Sequence, residues 1–237
     1  MKVVLLRVGI DSGSGGIQGP IFKDGSFEFV CIPDNKNIDS RTYGNSLDRN
    51  GQPLTRFFPA NMRTRMASQS IHVDPEFSKF TYGDPTPPKA RLRQLSKGDL
   101  LVFYAGLQGF DCAVDPGLYI VGYFEVEWAG KATDLSSDAT QARFSENFHV
   151  RHLSVFAKQR EDLVLVAGGA GSRLLKRAHL ISCIGTDRNG TALKVLAPAM
   201  QLVFGNFGGK VSIQRSPPRW VDAAFAERAA AFVRALT

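Results

Sequence analysis

The hydrophobic positions of this chain fall mostly in runs too short for helices. Val3 to Val8 is β-branched, Leu-rich and brief, the pattern of a strand. It runs into Gly9-Ile10-Asp11-Ser12-Gly13-Ser14-Gly15-Gly16, where four glycines in eight residues permit positive φ and close backbone approach. The Asp-Gly turn in Lys23-Asp24-Gly25 predicts a hairpin, with Phe27 to Ile32 as its return strand. Leu100 to Tyr104 and Leu118 to Trp128 read as two further strands, and the loop between them suits antiparallel neighbours. Asp162 to Ala167 is another apolar run.

Helical periodicity is rarer. Val221 to Leu236 places Val221, Phe225, Ala229, Phe232, Val233 and Leu236 on one stripe and predicts an amphipathic C-terminal helix. Shorter helices are expected over Asn61 to Ala67 and Ala139 to Asn147, and a helical turn over Ala90 to Leu95. Leu174 to Ile184 reads as a helix turning into a strand. Pro33 to Pro88 is rich in Asn, Asp, Gly and Pro and has little periodicity, which marks a long functional or disordered loop. Strands spaced like hairpins, without regular βαβ alternation, predict an α+β fold. The expected architecture is a single domain over residues 1–237 with a mixed, mainly antiparallel, barrel-like sheet and the C-terminal amphipathic helix packed on it.

Charge narrows the partners. The net charge of +7 favours polyanions, because Lys and Arg neutralise phosphates. Cys31, Cys112 and Cys183 are isolated and lie among apolar residues, which suits reduced thiols and gives no Cys-based zinc spacing. The apolar run after Lys2 is broken by Arg7 before it reaches signal-peptide length, and no later run spans a bilayer. A cytoplasmic location without membrane contact is expected. The sequence specifies neither a cofactor nor an oligomeric state.

The first glycine loop lacks the Gly-Lys-Ser/Thr of a Walker loop, and Pro20 sits where a dinucleotide-binding helix would begin. It remains a backbone nest in which Ser12, Ser14, Gly15 and Gly16 suit an anion or a base edge, or else a turn capped by Asp11. Ser172 and Arg173, after the second glycine loop at Gly168–Gly171, offer a hydroxyl and a guanidinium for phosphate. Ser172 equally fits the N-cap of a following helix. His72, Asp74 and Glu76 alternate and would share one face of an extended segment, which fits a divalent ion or acid/base chemistry. Pro75 interrupts that strand and no second ligand cluster is apparent, so no metal is expected. His149 and His152 fit one helix face or a surface edge. Among Phe103, Tyr104, Phe110, Tyr119, Tyr123, Phe124 and Trp128, most should fill the core, leaving one or two to stack on bases.

Two resemblances follow from these residues. Lys97 to Tyr104, with Leu118 to Val126, resembles the paired strands of PUA-like domains of the EVE and ASCH groups, over a segment of residues 90–130. A longer series resembles the nucleotide modification associated domain 3 family. It comprises Arg7 to Gly16 with Gly19-Pro20-Ile21, Ile32-Pro33-Asp34, His72 to Glu76, Tyr82-Gly83-Asp84 and Gly98 to Phe103. Gln18-Gly19 and Tyr104 to Leu107 depart from that family's pattern. The resemblance implies a role in a system that makes or uses modified nucleotides, with a nucleic acid or a free nucleotide as partner.

The leading expectation is therefore a nucleotide- or modified-base-binding or processing protein. Arg7, Ser12, Ser14, Gly15, Gly16, Ser172 and Arg173 are the candidate binding residues, and Asp11, His72 and Asp74 the candidate catalytic residues. An enzyme acting on a nucleotide or nucleobase, with Asp11 or Asp74 as acid/base, is the alternative. A structural or interaction protein whose glycine loops only turn the chain is the second.

Overall fold

The computed structural model describes residues 1–214 and 217–237. Its strands are β1 (Val3–Arg7), β2 (Gly19–Ile21), β3 (Ile32–Pro33), β4 (Ile71–His72), β5 (Thr81–Asp84), β6 (Leu100–Gly109) and β7 (Gly117–Lys131). They continue with β8 (Val164–Gly168), β9 (Arg173–Leu180), β10 (Ser182–Thr186), β11 (Ala192–Leu196) and β12 (Arg219–Trp220). The α-helices are α1 (Ala60–Ala67), α2 (Ser137–Phe144), α3 (Phe148–Arg151), α4 (Leu153–Gln159), α5 (Pro198–Phe204) and α6 (Ala223–Ala235).

The large sheet runs β12-β1-β6-β7-β8-β5, with β2 on β6 and β9 on β7. Most pairs are antiparallel; β1 and β2 lie parallel to β6. The sheet is open, not the closed barrel expected. β7 explains why: its first half pairs with β9 and its second half with β8, with register shifts between Ile120 and Gly122 and between Val126 and Trp128. A strand bent at such irregularities hands its edge to two partners instead of carrying one continuous ladder round to β1.

The core is built on β1, β6 and β7. Val3, Val4, Leu5 and Leu6 are buried, as is every residue from Leu100 to Leu107, because both faces of these central strands are covered. Helix α6 contributes buried Ala226, Ala229, Ala230 and Val233, and its N-cap Asp222 accepts from Ala224 N. Of the aromatic set, Phe103, Tyr104, Tyr119, Tyr123 and Phe124 are buried in the core. Phe110 and Trp128 are partly exposed.

The 33–88 segment is ordered, and its acidic residues are the reason. Asp34 accepts from Lys36 N and Ile38 N, and Asp48 from Asn50 N and Gln52 N. These buried carboxylates satisfy turn amides that would otherwise be unpaired. Beneath them Ile10, Val30, Tyr43, Leu54, Phe57, Phe58, Met66 and Ile71 form a second apolar cluster.

Three local expectations are corrected. Leu174 to Ile184 contains no helix: β9 pairs with β7, and tertiary pairing overrides helix-like spacing, so Ser172 caps nothing helical. The helix expected over Ala139 to Asn147 ends at Phe144; Asn147 instead caps α3, its Oδ1 accepting from His149 N at 3.0 Å. Phe27 to Ile32 is no continuous strand, being joined to Ile21 by one bridge at Phe27, although the tight turn at Gly25 forms as expected. Among the described residues, no helix is long and apolar enough to cross a membrane.

Candidate functional site

A cleft of about 810 Å³ opens between the end of β1, β4, β5 and α3. Arg7, Asp11, Ser14, His72, Asp74, Asp84, Lys89, His149 and Gln214 supply its polar groups. Val8, Ile32, Pro85 and Pro88 supply apolar wall. The volume lies in the range of small-molecule sites.

Arg7 and Asp11 form one wall. Arg7 is the last residue of β1, in register with Tyr104 of β6, so the central ladder fixes its backbone. Its Nη2 lies 3.0 Å from Asp11 Oδ2. Asp11 Oδ1 accepts from Gly13 N and Ser14 N at 2.8 Å each and from Ser14 Oγ at 3.0 Å. Burial alone would raise the Asp11 pKa, but Arg7 and these bonds outweigh it and hold the carboxyl below its ordinary value. A carboxylate so well supplied with donors is a weak base and a good anchor. Gly15 closes this turn with φ of +125°, where a Cβ would lie 2.5 Å from Ile10 Cδ1.

Beside Arg7, a smaller recess is lined by Ser12, Gly13, Gln18, Lys194 and Gln214. Burial and the neighbouring Arg7 both lower the Lys194 pKa. The Gln18 Oε1 is buried there and has no hydrogen-bond partner among the described residues. A guanidinium with one ion pair retains further N–H donors. Arg7 and Lys194 together thus make a locally cationic corner that an anion would relieve.

The opposite wall is a His–Asp cluster. His72 comes from β4, Asp74 from the turn after it, and His149 from α3; one ligand atom from each lies within 4.8 Å of the others. The His72 ring stacks on Phe148 with centroids 3.9 Å apart and meets His149 edge-on at 4.9 Å. Asp74 Oδ2 accepts from Gly83 N at 3.0 Å and lies 3.5 Å from His149 Nε2. His149 Nδ1 is 2.7 Å from Gln159 Oε1. Burial, then His149, pushes the His72 pKa down to about 3, and burial also lowers that of His149. Burial holds the Asp74 carboxyl well above its ordinary value, against the Gly83 N–H. The nearest lysine of the cleft, Lys89, is paired with Asp84 at 3.3 Å. Asp84 also accepts from Tyr82 OH at 3.1 Å.

Of the residues singled out in the sequence, Arg7, Asp11, Ser14, His72 and Asp74 share this cleft. Ser12 lies in the adjoining recess, and Gly16 lines a separate groove with Arg56 and Phe110. Glu76 turns away, accepting from the Ser78 and Lys79 amides. Ser172 and Arg173 lie elsewhere. Ser172 Oγ accepts from Glu125 N at 3.1 Å, tying the second glycine loop to β7, and Arg173 sits over the Tyr123 ring at 5.6 Å. His149, Lys194 and Gln214 carry no sequence signal that groups them with the cleft. For His149 the one available sign was Asn147, a helix-capping residue two positions earlier.

The family model described as nucleotide modification associated domain 3 matches residues 2–235. No curated protein and no solved structure matches the chain.

Proposed function

Since the chain belongs to the nucleotide modification associated domain 3 family, we propose that the cleft binds a nucleotide and presents it to the His72–Asp74–His149 cluster. The observation that carries this reading is the pairing of a cationic corner, Arg7 in the 810 Å³ cleft and Lys194 in the recess beside it, with the His72–Asp74–His149 cluster of the same cleft. Phosphate oxygens suit Arg7 and Lys194, which supply charge-assisted donors. Gln214 and the apolar wall suit the base. Asp11 orients Arg7, while Asp74 and His72 face the reacting part of the ligand. A cleft of this size admits one nucleotide or one extruded base and excludes a stacked duplex. The β6–β7 hairpin is the PUA-like element in this reading, and it serves as scaffold, the rings of Phe103, Tyr104, Tyr119, Tyr123 and Phe124 being buried.

Calorimetric titration with free nucleotides and with single-stranded oligonucleotides tests the proposal. Nucleotides should bind, more weakly as salt rises, since exposed charge pairs are screened. Arg7→Met and Lys194→Met should each weaken binding about ten-fold or more, the worth of a charge-assisted hydrogen bond. Folded protein that binds neither ligand class refutes it. Oligonucleotide binding that survives both substitutions moves recognition to the outer basic surface.

A further inference from the structure

We infer that His72, Asp74 and His149 are the ligands of one divalent first-row transition-metal ion, whose remaining coordination positions face the cleft. This goes beyond the nucleotide reading and is tested without any nucleotide. The argument begins with His149. Its Nδ1 stands 2.7 Å from Gln159 Oε1, an atom that only accepts, so Nδ1 carries the ring hydrogen and Nε2 presents a lone pair. A second acceptor, Asp74 Oδ2, lies 3.5 Å from that nitrogen. Two acceptors facing each other in a buried place require something positive between or beside them. A shared proton would draw them to hydrogen-bond distance, and 3.5 Å is beyond it. A tetrahedral ion with ligands at ~2.0–2.1 Å sets ligand–ligand edges of roughly 3.3–3.4 Å, close to the separation found.

The third ligand lies farther out than that edge and would draw in on the ion. His72 offers a ring nitrogen within 4.8 Å of the other two atoms, and its ring is held by stacking on Phe148. Phe148 and His149 are neighbours on α3, so one short helix supplies a ligand and the shelf for another. The outer contacts are those that metal sites use: Gln159 fixes a histidine tautomer, and Gly83 N steadies the carboxylate. Two imidazoles and one carboxylate suit zinc or ferrous iron over calcium or magnesium, which take oxygen ligands. Three protein ligands leave positions open, as in sites that bind water or substrate.

The test uses tag-free full-length protein, stripped with chelator and reloaded with Zn²⁺ or Co²⁺ in the absence of nucleotide. The wild type should take up one equivalent, the Co²⁺ form should show visible d–d absorption, and Zn²⁺ should raise the melting temperature. His72→Asn and His149→Gln should weaken Zn²⁺ binding at least 100-fold. Gln159→Leu, a positioning change, should weaken it about 10–100-fold. X-ray absorption of the Zn²⁺-loaded wild type should count two imidazoles, a readout that holds even where a variant fails to fold. Absence of stoichiometric binding, or fewer than two imidazoles, overturns the inference. So does affinity unchanged in the folded histidine variants. Nucleotide titration of the stripped protein, read through Arg7→Met, fails or succeeds independently.

Discussion

Asp11 offers the sharpest separation of scaffold from site. Its carboxylate does two things: Oδ1 accepts three hydrogen bonds within its own turn, and Oδ2 pairs with Arg7 at 3.0 Å. Asp11→Asn keeps an oxygen for the turn and puts an amide donor opposite the Arg7 donor. The turn should therefore survive, since Asn caps about as well as Asp. The lost ion pair is partly buried, with side chains 18% and 26% exposed, so it should cost ~1–2 kcal/mol after solvent screening. In a chain of this size that is a melting-temperature drop of about 2–8 °C. Arg7 loses its orientation, and nucleotide affinity should fall roughly five- to ten-fold, about 1–1.4 kcal/mol.

The assay is a double-mutant cycle of Asp11→Asn and Arg7→Met, read by nucleotide titration and thermal melting. If Asp11 acts through Arg7, the single substitutions should couple by ~1 kcal/mol, and Asp11→Asn should change affinity less than about two-fold once Arg7 is gone. A full loss that persists in the Arg7→Met background would mean that Asp11 touches the ligand itself. An Asp11→Asn variant with unchanged affinity and stability would reduce the ion pair to an incidental contact.

Three other outcomes are expected. Asp39 has a buried carboxylate, and although burial raises its pKa, the bonds from Arg41 and His152 outweigh that and hold it far below 3.8. Its stabilisation is thus complete above the unfolded-state pKa and lost as pH falls through the folded one; Asp39→Asn should cost about 3 kcal/mol at neutral pH, with the gap to wild type closing under acid in denaturant titrations. Gly83→Ala would place a Cβ 2.9 Å from Asn147 Oδ1 and 3.2 Å from His149 Cδ2, so it should destabilise by about 1–3 kcal/mol and weaken metal binding; a neutral result would show that α3 yields freely. Ser172→Ala should cost ~1 kcal/mol through its lost Glu125 N bond yet leave nucleotide affinity intact, and a ten-fold loss would bring the second glycine loop into the site.

The strands were legible where apolar residues were dense. Leu100 to Tyr104 and Leu118 to Trp128 read as antiparallel neighbours and are so, as the first half of β6 and most of β7. The C-terminal stripe likewise became α6. Closure of the sheet was not legible, because it depends on where β7 changes partner, and a register shift leaves no mark on an apolar run. The order of the 33–88 segment was illegible for another reason. Its order rests on buried Asp side chains that replace backbone partners, and a surface loop contains the same residue types.

The site divides along the same physical line. Arg7, Asp11 and Ser14 follow one another at the exit of a buried strand, and His72 and Asp74 are two residues apart, so local spacing was enough to nominate both walls. Their approach to one another is a consequence of register: Arg7 lies where β1 ends against Tyr104, and His72 where β4 meets Ile32, which itself lines the cleft. His149 belongs to neither local group. A continuous helix over 139–152 would have placed it with His152 on one face. Asn147 breaks that helix, restarts the chain as α3, and separates the two histidines. His149 turns to Asp74, and His152 turns to Asp39 at 3.1 Å. A single capping side chain therefore decides which histidine joins the cleft. Asn147→Ala should accordingly disturb the His149–Asp74 approach more than the His152–Asp39 bond, because Asn147 Oδ1 holds the His149 amide and leaves that of His152 untouched.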